Sequence, residues 1–186
     1  MAKIRTFIAI EIPSEVREKI LEFQEELKKE PARVSWVKPE NIHLTLKFLG
    51  DVEEERIDQV AQIVEQAAEG MTSFRIAIQG SGAFPNFKQP RVLWVGGQDI
   101  DGKLLPLQKN IEAKLGELGF EKENKPYSIH LTLGRVKFPR GVEAVIEKMR
   151  RSDFSGGEFP VKELVIMKSE LNPAGAIYTP LRKIKL

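Results

Sequence analysis

The chain contains two histidines, and both lie within the same five-residue sequence. Ile42-His43-Leu44-Thr45-Leu46 recurs as Ile129-His130-Leu131-Thr132-Leu133. A single histidine in a strand is usually structural, but a duplicated motif that holds every histidine of the chain points to chemistry. Chance alone explains such a repeat poorly, so it indicates two related halves, or two strands built for the same task.

Both pentapeptides show the alternation of a β-strand, in which successive side chains point to opposite faces. Ile42, Leu44 and Leu46 then share one face, while His43 and Thr45 share the other. The second copy repeats this arrangement, with His130 and Thr132 on the polar face. If the two strands face each other across a cleft, two imidazoles and two hydroxyls converge on one point.

This set of groups suits phosphoryl chemistry on a ribose. Imidazole titrates near neutrality, so one ring can accept a proton while the other donates one to the leaving oxygen. Threonine hydroxyls can donate to the non-bridging phosphate oxygens and stabilise charge in the transition state. Two histidines would need a third ligand to hold zinc or iron, and the motif supplies no Asp, Glu or Cys. We therefore expect neither a metal nor another cofactor.

The residues after each threonine add candidate phosphate ligands. Strict alternation places Lys47 on the face of His43 and Thr45, and it places Gly134 at the equivalent position of the second copy. Gly134 would leave space for a substrate to approach. Arg135 follows at the strand end and could hold a phosphate bidentately.

The composition is that of a soluble globular protein, with 186 residues, a formal net charge of +2 and no cysteine. The small net charge argues against a protein that grips long nucleic-acid duplexes. Local basic clusters such as Arg135-Val-Lys137 are interpreted as solvated surface. No run is apolar enough to cross a membrane, and the lack of cysteine fits the cytoplasm. We expect a cytoplasmic protein without a membrane partner.

The hydrophobic pattern predicts one folding unit over residues 1–186. Helices are predicted to begin after the N-cap candidates Ser14, Asp51 and Asp101, where Asp51 and Glu54 form a capping-box pattern, and a short helix is predicted near 142–149. Strands are predicted at 4–12, 34–37, 42–49, 74–79, 91–95, 127–136, 161–168 and 177–184. Because several strands follow one another directly, the pattern favours an α+β fold with largely antiparallel sheets.

The motifs resemble those of the two-histidine phosphoesterase superfamily, and within it the RNA 2′,3′-cyclic phosphodiesterase or 2′–5′ RNA ligase family. The resemblance extends over the whole chain and depends mainly on the paired motifs. Supporting segments are Arg5-Thr-Phe7-Ile-Ala-Ile, Asn41 to Gly50, Arg91 to Gly96, His130 to Arg135 and Tyr178-Thr-Pro-Leu181.

The resemblance implies a bilobal fold, with two antiparallel sheets related by a pseudo-twofold axis, helices on the outer faces and the active site in the central cleft. It implies that an RNA 2′,3′-cyclic phosphate is opened to a 2′-phosphate. His43 would protonate the departing 3′-oxygen and His130 would activate water, while Thr45, Thr132 and Arg135 would hold the phosphate.

Several expectations about the substrate follow from the resemblance. Arg5 and Lys47 are further candidate substrate-binding residues. The substrates would be RNA ends, such as tRNA halves, or nucleotide 2′,3′-cyclic phosphates, and the protein would be a monomer. The reverse reaction would join RNA by a 2′–5′ linkage. Alternatives are hydrolysis of 2′–5′ oligonucleotides or of small cyclic nucleotides, and a non-catalytic module that binds RNA ends.

Overall fold

The structure, a computed structural model, describes residues 2–186. Four helices lie within this range: α1 (Ser14–Lys28), α2 (Ile57–Ala67), α3 (Leu104–Glu117) and α4 (Glu143–Arg151). The strands are β1 (Lys3–Glu11), β2 (Val34–Trp36), β3 (His43–Glu53), β4 (Phe74–Phe84), β5 (Val92–Asp99), β6 (His130–Val136), β7 (Ser155–Val161), β8 (Glu163–Asn172) and β9 (Gly175–Lys185). None of these helices is long and apolar enough to span a bilayer.

The strands form two sheets in which every neighbouring pair is antiparallel. One sheet has the order β3-β1-β8-β9, and the other has the order β2-β6-β5-β4-β7. The predicted α+β fold with antiparallel sheets is confirmed. Apart from β2 the two orders correspond strand for strand, since each histidine strand pairs with the strand that precedes a long helix. Two related halves, as the repeat predicts, would give this correspondence.

The apolar face of each motif enters the main core. Leu44, Leu46, Leu131 and Leu133 are at most 2 % exposed. They belong to one cluster with the apolar stripes of the helices, including Ile20 of α1 and Ile111 of α3. A smaller cluster on the other face of the first sheet contains Phe7, Ala9, Val165 and Met167. Strand alternation therefore divides each motif between a buried face and a face that is open for chemistry.

Three predicted helix starts differ from the observed ones. Asp51 lies inside β3, opposite Arg5, so it caps no helix, and α2 begins only at Ile57. Ser14 is the first residue of α1 and makes no capping hydrogen bond. The carboxylate that caps α3 belongs to Asp99, which accepts from two backbone amides near the helix start, whereas Asp101 accepts from Arg75. For Asp51 and Asp101 a partner distant in the sequence, the facing strand β1 or Arg75, overrides the local capping pattern.

Candidate active site

Each motif begins a strand in the same way. His43 is the first residue of β3 and His130 is the first residue of β6, and both side chains are half-buried. Thr45 and Thr132 are half-buried too, and within residues 2–186 their hydroxyls make no hydrogen bond. The alternation predicted for both pentapeptides is confirmed, because their Ile42, Leu44, Leu131 and Leu133 side chains are buried. The hydroxyls are thus free to donate to a ligand.

A hydrogen bond joins the segment that leads into the second motif to the first motif. The Tyr127 hydroxyl, three residues before His130, donates to the backbone carbonyl of Thr45 at 2.8 Å. Burial raises the pKa of Tyr127, so the hydroxyl keeps its proton and remains a donor. Strands β3 and β6 are also in contact. The chain leading into the second histidine is therefore held against the strand that carries the first.

The ring of His130 is fixed by its own backbone. Its Nδ1 lies 2.8 Å from the carbonyl oxygen of Ser128. Because a carbonyl can only accept, Nδ1 carries the proton, and in the neutral ring Nε2 keeps a lone pair. The edges of Phe84 and Trp94 contact the ring, with centroid distances of 4.9 and 6.4 Å. These contacts leave an oriented imidazole that can accept a proton at Nε2.

His43 has similar aromatic neighbours but a different electrostatic environment. Tyr178 and Phe7 lie 5.3 and 6.2 Å from its ring, centroid to centroid. Burial lowers the pKa of His43 most, and Arg17 of α1 lowers it further, while the Asn41 carbonyl and Glu11 oppose the shift. Asn41 precedes His43 by two residues, as Ser128 precedes His130, but Nδ1 of His43 is buried without a hydrogen bond of good geometry within residues 2–186.

A β-bulge interrupts both motif strands at the same position. In β3, Thr45 lies opposite Ala9 and Lys47 lies opposite Ile8, so Leu46 is the extra residue. In β6, Thr132 lies opposite Trp94 and Gly134 lies opposite Leu93, so the extra residue is Leu133. A bulge reverses the alternation of the residues that follow it. Lys47 and Gly134 consequently leave the face of the histidines.

The prediction that Lys47 lies beside His43 and Thr45 is wrong for this reason. Its side chain is 1 % exposed, and Nζ lies 2.6 Å from the Glu112 carboxylate of α3 and donates to the Glu121 carbonyl at 2.8 Å. The expected space at Gly134 is also filled. A β-carbon there would lie 2.6 Å from Cγ1 of Val34 and 3.0 Å from the ring of Trp36. Both positions serve packing rather than the polar face.

The same bulges bring other residues to the polar face. Arg135 lies opposite Val92, two residues along β5 from the partner of Thr132, or about 7 Å at the usual strand rise. Phe48 occupies the equivalent position in the first half, opposite Phe7, and is 58 % exposed. Arg135 is therefore brought near the threonine end of the site as predicted, whereas Phe48 was missed because simple alternation assigns it to the core.

Arg5 lies on the polar face but far from the first histidine. It shares a face with Glu11, which is the residue opposite His43, and six residues separate the two along β1. This corresponds to about 20 Å. Arg5 is thus not brought to the histidines. Within residues 2–186, no three His, Cys, Asp or Glu side chains converge in a way that could hold a metal ion.

Two buried glutamines support the bulges. Gln24 of α1 donates to the carbonyls of Leu133 and Val37, both at 2.9 Å. Gln108 of α3 donates to the carbonyl of Leu46 at 3.1 Å. An extra residue in a strand departs from the regular ladder, and a buried carbonyl without a donor is costly. Each half therefore uses one helix amide to stabilise the backbone between its threonine and the residue at the strand end.

Comparison with known proteins gives a consistent result. The family model described as LigT like Phosphoesterase matches this chain twice, over residues 10–94 and 95–178, so each match contains one histidine motif. The RNA 2′,3′-cyclic phosphodiesterase of Methanothermobacter thermautotrophicus is 36 % identical over 99 % of this chain and all of the relative. The enzyme of the same name from Methanocaldococcus jannaschii is 37 % identical, over 97 % of this chain and 99 % of the relative.

Solved structures with the same fold include TT0787 of Thermus thermophilus, with a TM-score of 0.84 and 31 % identity over 98 % of both chains. LigT of E. coli, complexed with 3′-AMP, has a TM-score of 0.79 and 25 % identity over 99 % of this chain and 98 % of that one. With the paired motifs, the matching halves and the full-length relatives, the chain belongs to the LigT like phosphoesterase family.

Proposed function

We propose that the protein hydrolyses the 2′,3′-cyclic phosphate at the 3′ end of RNA to a 2′-phosphate, with His43 and His130 as acid and base. The observation that carries this proposal is the pair of histidine–threonine faces joined by the bond from Tyr127 to Thr45. The archaeal relatives that bear this activity in their names match the chain over its whole length, which supports the choice of substrate.

In the proposed reaction, Nε2 of His130 accepts a proton from water, and the water oxygen attacks phosphorus. The bond from phosphorus to the 3′-oxygen breaks, and His43 gives that oxygen its proton. The products are a 2′-phosphate and a free 3′-hydroxyl. The Ser128 carbonyl supports the base role of His130, because it fixes the proton on Nδ1 and leaves Nε2 to face the water.

The remaining polar groups would bind the phosphate. The hydroxyls of Thr45 and Thr132 donate to non-bridging oxygens, and the Arg135 guanidinium adds a charge-assisted contact. The pKa of His43 is lowered in the free protein, so its acid role requires the bound phosphate, whose negative charge favours the protonated ring. Binding of the substrate thereby prepares the acid.

If an RNA 5′-hydroxyl takes the place of water, its oxygen attacks phosphorus, the bond to the 3′-oxygen breaks as before, and two RNA ends are joined through a 2′–5′ linkage. This reaction uses the same two histidines and adds no group to the site. We propose it as a secondary activity. We also propose that the protein acts in the cytoplasm, where disulfides are rare and a chain without cysteine lacks nothing that its fold needs.

The test is incubation with an RNA that ends in a 2′,3′-cyclic phosphate, in the presence of EDTA. A 2′-phosphate end is expected, and each of His43→Gln and His130→Gln should lower kcat about 10²- to 10⁴-fold without changing the fold. Either a 3′-phosphate product or a dependence on added metal would contradict the proposal. Binding without turnover in the native protein would instead favour a module that only captures RNA ends.

The pH profile of kcat/KM separates the two roles. The pKa of His43 in the free protein lies below its ordinary value of 6.5. If His43 is the acid, kcat/KM falls as the pH rises through that pKa, so the alkaline limb lies below pH 6.5. If His43 is the base, the same pKa governs the acidic limb, and activity is retained above it.

A further inference from the structure

Two segments without any acidic residue lie side by side at the edge of the five-stranded sheet. Residues 31–39 contain Arg33 and Lys38, and residues 131–142 contain Arg135, Lys137 and Arg140. The segments pair through β2 and β6, and the Lys137 amide donates to the Arg33 carbonyl at 2.8 Å. Basic residues separated in the sequence by about a hundred positions are thus neighbours in the fold.

Strand register puts three of these cations on the face of the sheet that carries the histidine. Ser35 lies directly opposite Arg135. Arg33 and Lys137 lie two residues further on, just beyond the ends of β2 and β6, and they face each other through the bond from the Lys137 amide to the Arg33 carbonyl. Side chains two residues apart share a face and are about 7 Å apart. The cations therefore continue from Arg135 to the facing pair Arg33 and Lys137, away from Thr132, and this step of about 7 Å is comparable to the phosphate spacing of an extended single strand.

An aromatic ring follows at the end of this row. The Arg33 guanidinium stacks over the Phe138 ring at 4.9 Å, and 53 % of Phe138 is exposed. Both residues line a groove of about 540 Å³, whose other lining residues are Pro31, Ala32, Arg140 and Gly141. An exposed ring backed by a guanidinium plane is a surface on which a nucleobase can stack.

The charges of this surface are not neutralised by neighbouring carboxylates. Within residues 2–186, the side chains of Arg33, Arg135, Lys137 and Arg140 form no ion pair, whereas many other cations of the chain do. Since the formal net charge of the whole chain is only +2, the remainder of the molecule is net negative. Among the described residues, this surface therefore presents four cations without a carboxylate partner beside the histidine site.

We propose that this surface, formed by Arg33, Lys137, Phe138 and Arg140, binds the single-stranded RNA that leads into the active site. The proposal rests on the proposed function, because a 2′,3′-cyclic phosphate terminates the 3′ end and all other nucleotides lie on its 5′ side. The nucleotides before the terminal one would place phosphates along Arg33, Lys137 and Arg140 and a base on Phe138. The preferred substrate class would then be oligoribonucleotides rather than cyclic mononucleotides.

The test compares kcat/KM for an oligoribonucleotide and for a mononucleoside, both ending in a 2′,3′-cyclic phosphate. Phe138→Ala should raise KM for the oligomer about tenfold and leave the mononucleoside unchanged, and Phe138→Trp should retain the native value. The triple variant Arg33→Ala, Lys137→Ala, Arg140→Ala should reduce the slope of log KM against log salt by about 2, because each single-strand phosphate contact contributes about 0.7. Lys162→Ala, an exposed cation beyond the opposite edge strand of the same sheet, is the matched control.

Binding measurements keep this proposal separate from the proposed function. If the native protein hydrolyses no cyclic phosphate, the anisotropy of a labelled oligomer with a 2′-phosphate end still reports on the surface. Loss of oligomer affinity in the triple variant but not in Lys162→Ala would support the proposal in that case. An unchanged affinity for the oligomer, or an equal loss for oligomer and mononucleoside, would overturn it.

Discussion

Replacing the two buried glutamines tests whether helix amides stabilise the bulges that shape the site. Gln24→Leu removes the donor that serves the Val37 carbonyl and one of two donors to the Leu133 carbonyl, which also accepts from the Val37 amide. Gln108→Leu removes one bond, to the Leu46 carbonyl. We therefore expect both variants to lose stability.

The magnitudes follow from counting the groups that change. A buried carbonyl left without a donor costs about 1–3 kcal/mol, and one further lost bond costs about 1 kcal/mol. Part of this is offset for Gln24, since its own Oε1 is buried without a partner within residues 2–186 and disappears in the variant. The net loss is about 2 kcal/mol for Gln24→Leu, and it is also about 2 kcal/mol for Gln108→Leu, which takes the Gln108 donor from the buried Leu46 carbonyl and has no such offset.

Denaturant and thermal unfolding would measure both losses. In a chain of this size each loss corresponds to a decrease in Tm of about 4–8 °C. Gln62→Leu, on the exposed side of α2, is the control and should change the free energy of unfolding by less than about 0.5 kcal/mol. The reasoning is refuted if Gln24→Leu costs no more than this control.

Three further predictions concern the corrected positions and the first histidine. Lys47→Met should destabilise the fold by about 3–5 kcal/mol, because it leaves the Glu112 carboxylate unpaired. Adding Glu112→Leu should restore most of this loss, and unfolding curves measure both effects. The kcat/KM of the folded double variant should match the native value. Gly134→Ala should lower the free energy of unfolding by about 1–3 kcal/mol, since the new β-carbon would lie 2.6 Å from Val34 of β2. The control Gly116→Ala on α3 places its β-carbon only against the flexible Lys122 side chain, so it should be neutral or stabilising. Because burial lowers the pKa of His43, the unfolded chain protonates this histidine at higher pH than the folded chain does. The free energy of unfolding should therefore fall as the pH drops below 6.5, and His43→Gln should remove this part of the pH dependence. A pH dependence that is the same in the variant and the native protein would contradict this prediction.

The pattern of apolar and polar residues was sufficient to predict the fold class and the split of each pentapeptide between two faces. It failed one residue beyond each threonine. Whether Leu46 is paired or bulged depends on its partner strand and on Gln108 of a distant helix, and neither is written in the local pattern. The same holds for the donor Tyr127, whose ring and hydroxyl could equally have belonged to the core.

In the structure, both copies of the repeat depart from alternation in parallel. After each threonine come a buried leucine, a second buried residue and then an exposed one, which is Phe48 in the first half and Arg135 in the second. An exposed phenylalanine and an exposed arginine at matching places indicate that the two halves share a backbone but not a task.

That difference gives the site a direction. The second half carries Arg135 and, beyond it, the cations on β6 and the adjoining segment, whereas the first half carries Phe48 beside Phe7 and His43. An RNA end fits this asymmetry, because it has a charged strand on one side and only a terminal nucleoside on the other. A small symmetric phosphate would not require an asymmetric site. In the proposed mechanism the duplicated histidines would supply the proton transfers, and the unequal residues after the bulges would determine which way an RNA end enters.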